Sequence, residues 1–306
     1  MTWSLRSVGP SLNGWLFAPS PAERLALVRL LICGFATGYL LFGSQALLNV
    51  ASFSAKDFDG VGPVSILNEP LPGEWVVAIF VLACVSGAFA TLGVKYLVTG
   101  PVFALTLLWA TSYRSSFGMI FHTENLLVLH VLILASGRAA DAWSFDSWRR
   151  PPPTEERQAQ GQYSWPLRAL CIVTTIVYLL AGVAKLRFTG WHWGGGEELR
   201  IHIAFDGLRK VELGSSPNLA ANIVRHSWIF PPLAFLTLAF EFGAPLALLN
   251  RRVAVIWSLG AWGFHVGVLK VMSILFIYPI SGLAFAPFFP IEKVVYWARD
   301  RKAKSA

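Results

Sequence analysis

Apolar residues fall into eight long stretches with few or no charges. The first four are Leu30–Ala55, Trp75–Val94, Tyr96–Tyr113 and Asn125–Gly137. The fifth is Ala169–Ala184, the sixth Phe230–Asn250 (broken only by Glu241), and the last two are Val253–Leu269 and Val271–Ile291. No internal repeat or heptad is visible, so a solenoid or coiled coil is not expected. About 20 apolar residues cross a bilayer, and Lys or Arg at the ends extends a shorter run by snorkelling. The pattern therefore predicts an all-α, polytopic membrane protein of about eight transmembrane helices. Asn125–Gly137 is the shortest run, and the last two stretches are separated by a tight turn at Lys270.

Between the runs, polar segments set the organisation. Residues 1–23 form an N-terminal segment, 24–291 a transmembrane domain, and 292–306 a basic tail. Residues 138–165, with the Pro-rich PPPTEERQAQGQY, form a linker between the first and last four helices. The longest loop spans about 186–229.

Composition supports this organisation. Of 306 residues, 55% are hydrophobic and 14% charged, against about 25% charged in a soluble domain. The net charge of +8 is largely an orientation signal and gives no reason to expect nucleic acid. With both termini cytoplasmic, the inner segments collect 16 of the 25 Lys and Arg residues, Arg29, Lys95 and Arg138 among them. Cys33, Cys84 and Cys171 lie in apolar runs without metal-like spacing, so neither a disulfide framework nor a metal site is expected. The first apolar run is too long for a cleaved leader.

Ionisable residues at membrane depth are expensive and point to function. At 1.5 Å per residue, Lys185 falls near the outer edge of its span, His265 about 20 Å from the inner face, and Glu241 near mid-span. Arg114 and His122 lie at the outer end of the third run, and Asn125 opens the fourth. Together these residues suggest a polar cavity open to the outside. Plainer readings stand beside it. Lys185 can snorkel, His265 can bond a carbonyl one turn away, and Glu241 needs only an interhelical partner, with Arg114 as one choice. His130 reads as packing, and Thr123 or Glu124 as a helix cap. In the long loop, Trp191 and Trp193 precede Gly194, Gly195 and Gly196 and then an amphipathic stretch. It reads either as an interfacial helix or as a lid hinged on the three glycines.

The blocks YLLAGVAKLRFTGWHWGGGEELR (178–200), LAFEFGAPLALLNRR (238–252) and FHVGVLKVMSILF (264–276) resemble the horizontally transferred transmembrane (HTTM) domain. That domain is the membrane part of vitamin-K-dependent gamma-carboxylase. The resemblance covers essentially the whole chain and is strongest over 170–290. It implies that Lys185 is the base that deprotonates a reduced naphthoquinone (vitamin K or menaquinol), with His265 near that centre. The reaction consumes oxygen and ends in carboxylation of glutamate in a peptide substrate. The family pattern also has an Asn-His pair in an earlier helix; Asn125 stands at the matching place with no adjoining histidine. The chain ends about 15 residues after the last run, so a large extramembrane portion for gripping a protein substrate is not expected. The resulting expectation is a multi-pass protein (of the plasma membrane, if bacterial) whose site faces the periplasm, lumen or exterior. Three functions remain open: a quinol- and oxygen-dependent enzyme, a non-catalytic binding or maturation partner, and a transporter, for which inverted repeats are missing.

Overall fold

A computed structural model describes residues 8–118, 122–149, 159–214 and 218–305. Its helices in chain order are α1 (Val8–Leu16), α2 (Ala22–Phe42), α3 (Ser44–Asn49), α4 (Gly73–Leu92), α5 (Tyr96–Ser115), α6 (Asn125–Ser136) and α7 (Phe145–Trp148). There follow α8 (Gly161–Thr189), α9 (Glu197–Glu212), α10 (Asn218–Ile223), α11 (Phe230–Phe242), α12 (Arg251–Met272), α13 (Ile277–Ile280) and α14 (Glu292–Ser305). Two-residue strands, Ser20–Pro21 and Ala159–Gln160, pair antiparallel. The fold is all-α, and five helical segments among the described residues are long and apolar enough to cross a membrane: α2, α4, α5, α8 with the turn after it, and α12. The chain divides into two compact units, Met1–Leu170 with Pro290–Ala306, and Cys171–Phe289.

In the first unit α2, α4, α5 and α6 pack together. Gly87 lets α4 approach closely, since a Cβ there would lie 2.6 Å from Thr37 Oγ1 and 2.7 Å from the Phe103 ring. Gly93, at φ +67, ends α4 in the left-handed conformation that suits glycine. Asp146 then caps α5, accepting from the backbone N–H of Lys95 and Tyr96 at 2.8 Å each. Meanwhile Val77, Val81, Leu82, Val85 and Phe89 of α4 stay uncovered, as lipid-facing side chains would. Arg24 binds Glu292 through two hydrogen bonds of 2.7 and 2.9 Å and ties α14 to α2.

Several expected boundaries shift. The first span begins at Ala22, not Leu30, so Arg29 belongs to the helix and is fully buried; its Nη2 donates to the Trp143 carbonyl at 2.7 Å. It therefore lies within a helix and not in a loop. The fifth span lengthens to Gly161–Thr189 and takes in Lys185 and Arg187. The sixth stops as an α-helix at Phe242, then tightens into a 3-10 turn over Ala244–Leu248 that contains Pro245. The eighth does not form as one helix. α12 ends at Met272 with Ser273 at φ +53, and only α13 and a 3-10 turn, Leu283–Phe288, follow. Pro279, Pro287 and Pro290 lack the N–H a helix needs, and Gly282 sits at φ +78. Lys270 lies within the last turn of α12, so no tight turn between two spans exists there.

Candidate functional site

In the second unit, the face of α8 repeats at seven residues, about two turns, so Tyr178 and Lys185 point the same way. Between them Gly182 brings α8 close to α11: a Cβ there would lie 3.1 Å from Glu241 Cβ and 3.2 Å from the Phe242 ring. This close approach delivers the Lys185 side chain to Glu241. Its Nζ donates to Glu241 Oε1 at 2.5 Å, with the lysine side chain 22% and the glutamate 3% exposed. Lys185 Nζ also sits 5.4 Å from the centre of the Trp193 ring, a cation–π placement. Lys185 therefore turns inward and does not snorkel. The partner of Glu241 is Lys185; Arg114, the partner considered from sequence, binds another carboxylate. Glu241 Oε2 is buried and has no hydrogen-bond partner among the described residues.

One face of α12 supplies the other half. His265 Nε2 lies 2.8 Å from the Tyr178 hydroxyl, both groups buried. Its Nε2 thus finds a partner on a neighbouring helix and not in a carbonyl of its own turn. Phe264 and Phe276 crowd the ring, with centroids at 5.4 and 4.9 Å. Tyr178 packs edge-on against Phe240 and Trp257, which stack on each other at 5.5 Å. Two polar atoms on this face are buried without a partner among the described residues: His265 Nδ1 and, seven residues earlier, Ser258 Oγ. Unsatisfied buried polar atoms in a native fold need an explanation such as a ligand or water. Tyr178 and Ser258 were not singled out from sequence, although their seven-residue offsets from Lys185 and His265 are readable there.

The long loop divides its two tryptophans. Trp193 is buried against Lys185, and its ring meets that of His202 at 6.0 Å, whereas Trp191 stands open. Residues Gly190–Gly195 form a 3-10 turn. Gly196 is fixed by packing, since its φ is +79 and a Cβ would lie 2.3 Å from the Phe230 backbone. Gly194 faces the Phe235 ring at 3.5 Å, while Gly195 meets nothing within 4 Å. The amphipathic stretch is α9, which buries Ile203 and Asp206 and leaves Ile201, Phe205 and Leu208 uncovered. Inside α9, between α11 and α12, runs an apolar groove of about 410 Å³ whose walls include Phe240 and Phe264.

Arg114 belongs to a cluster in the first unit. Its Nη2 donates to Glu124 Oε1 at 2.5 Å and its Nη1 to the Tyr39 hydroxyl at 3.2 Å, and Tyr39 in turn donates to Glu124. Glu124 is thus an ion-pair partner and not the side-chain cap considered for α6, whose start has none. His122 opens the turn before α6, with its side chain outside the described residues, and Asn125 is exposed in the first turn. His130 is fully buried and bonded to the Leu170 backbone, a packing role. Among the described residues no group of three His, Cys, Asp or Glu side chains is placed to hold a metal ion.

A family model described as the HTTM domain matches residues 17–292. No curated protein and no solved structure gave a match.

Proposed function

Because the chain belongs to the HTTM domain family, we propose that this integral membrane protein is a gamma-carboxylase-like enzyme that uses Lys185 and Glu241 as the base toward a reduced naphthoquinone. The observation that carries the reading is the buried Lys185–Glu241 pair with one carboxylate oxygen left open. A pair serving only to hold two helices together would be expected to satisfy both oxygens, because an unpaired buried acceptor is destabilising.

The side chains fit such a ligand. Among the described residues Glu241 Oε2 and His265 Nδ1 are buried polar atoms without partners, and an apolar groove begins at Phe240 and Phe264, the residues next to them in sequence. When bound, the reduced quinone would supply an acidic hydroxyl and the electrons that oxygen consumes. The protein's part is proton handling. Moving one proton from Lys185 Nζ to Glu241 Oε1 leaves a free amine at Nζ and a neutral acid, and low-dielectric surroundings penalise the separated charges this removes. The pair then takes up one proton at Nζ, or equally at Oε2 from the ionised form, with the same net charge. Tyr178 holds the imidazole through Nε2, leaving Nδ1 of His265 to orient a hydroxyl. Phe240, Trp257 and Phe264 keep water from this centre.

In this reading both termini are cytoplasmic, about eight segments lie in the membrane, and the site opens to the periplasm, lumen or exterior. A non-catalytic partner that keeps Lys185–Glu241 as a structural pair is the competing reading, and the close packing at Gly182 favours it. Incubating purified protein with reduced menaquinone and oxygen separates the two. Epoxide that disappears in Lys185→Ala supports the enzyme; no Lys185-dependent epoxide defeats it.

A further inference from the structure

We propose that α9 lies flat in the membrane surface at the end of the second unit where α8 stops and α11 starts. Its outward stripe of apolar side chains is seated among phospholipid acyl chains just below the headgroups. The stripe needs this cover whether or not the Lys185 site is catalytic.

α9 carries two apolar faces. Inward, Ile203 and Leu199 join a cluster with Phe230 and Met272. Outward, Ile201, Phe205 and Leu208 recur at the four- and three-residue spacing of one helix face, Val211 continues it, and each is more than half exposed. Left in water, such a stripe is costly. Its depth follows from the inward contacts. Phe230 is the first residue of α11 and Met272 the last of α12, a helix long and apolar enough to span. α9 is thereby held where apolar helices end, at the edge of the hydrocarbon. Two open tryptophans mark the same level, Trp191 just after α8 and Trp228 just before α11, and tryptophan favours that boundary. From there Leu233, Phe235 and Leu236 of α11 carry uncovered apolar surface further along the helix, so lipid already flanks the place where α9 rests.

Charge identifies the kind of lipid contact. Arg200 pairs with Glu197 at 3.1 Å and Arg209 with Asp206 at 2.7 Å, and α9 as a whole has three Lys and Arg against four Asp and Glu. No cationic patch remains to select anionic headgroups, so burial of the stripe drives the seating. Gly196 holds the start of the helix, because a Cβ there would collide with the Phe230 backbone at 2.3 Å. α9 is thus anchored at the membrane surface and is not a lid swinging on the glycines.

The test places one fluorophore at a time through Phe205→Cys, Leu208→Cys or Arg209→Cys, with Cys33, Cys84 and Cys171 replaced by alanine. The proteins are reconstituted in phosphatidylcholine nanodiscs, and thermal unfolding shows that they fold. If the background without natural cysteines does not fold, a photoreactive phenylalanine analogue at position 205 of the natural sequence replaces the fluorophore, and mass spectrometry reads whether it bonds to phospholipid or to protein. A surface-lying helix sinks its apolar face about 5–10 Å, so a nitroxide high on the acyl chain should quench positions 205 and 208 about twofold more than position 209. Aqueous iodide should show the reverse order, and adding phosphatidylglycerol should change neither. Iodide quenching at 205 and 208 as strong as at 209 overturns the proposal. So does shielding of 205 from both quenchers, or a cross-link to protein, since either puts a protein on the stripe. Lipid quenching that appears only with phosphatidylglycerol overturns it as well.

Discussion

Gly182 and Glu241 approach so closely that a β-carbon at position 182 would stand 3.1 Å from the glutamate's own. The distance is tighter than ordinary contact, so the glycine sets how far the Lys185 side chain must reach to meet the carboxylate. Gly182→Val is expected to push α8 off α11 and destabilise by about 1–3 kcal/mol. Gly182→Ala, which asks the neighbours to yield by only a few tenths of an ångström, should cost less. Thermal unfolding in detergent of the two variants checks the order; equal stability of Val and wild type would show that the helices are not held at this point.

The sequence identifies Lys185, Glu241 and His265 because charge inside apolar runs is rare enough to stand out. It does not reveal their partners. Pairing Glu241 with Lys185 instead of Arg114 depends on which helix faces come together, and that is decided at Gly182, a residue with no side chain to notice. Tyr178 was equally hidden, since a tyrosine in an apolar run reads as packing until the histidine opposite it is placed. The failed eighth span shows the opposite limit. Residues 271–291 are apolar enough to suggest a helix, yet their prolines and the left-handed Ser273 break the backbone into short pieces. Hydropathy registers the burial of such a segment and not its hydrogen bonding.

The Lys185–Glu241 pair invites a double-mutant test. Removing one member leaves a buried charge alone, so Lys185→Met or Glu241→Leu by itself should destabilise by about 3–5 kcal/mol. The double variant replaces both with apolar groups of similar length and should recover most of that loss. Unfolding midpoints of the four proteins measure the coupling. Additive losses would mean that the two side chains do not depend on each other.

Tyr178→Phe removes one hydroxyl and leaves His265 Nε2 buried without its partner. The expected loss is about 1–3 kcal/mol, the penalty for an unsatisfied buried polar group. Combining Tyr178→Phe with His265→Leu should be milder than the single losses summed, because the orphaned nitrogen is gone. If Tyr178→Phe is neutral, the bond contributes nothing to the fold and the ring packing of Trp257 and Phe240 alone positions the tyrosine.

In the first unit, Glu124 accepts from Arg114 and Tyr39 with an almost fully buried side chain. Glu124→Gln keeps the shape and removes the charge that the Arg114 guanidinium faces. A loss of about 3–5 kcal/mol is expected, as for any buried pair broken on one side. Tyr39→Phe deletes one bond and leaves the ion pair, so it should cost about 1 kcal/mol. Because this cluster is built from α2, α5 and the turn before α6, both losses should appear as lower unfolding midpoints, Glu124→Gln well below Tyr39→Phe. Thermal unfolding of the two variants checks the order; a Glu124→Gln protein as stable as wild type would show that the buried pair contributes nothing to the fold.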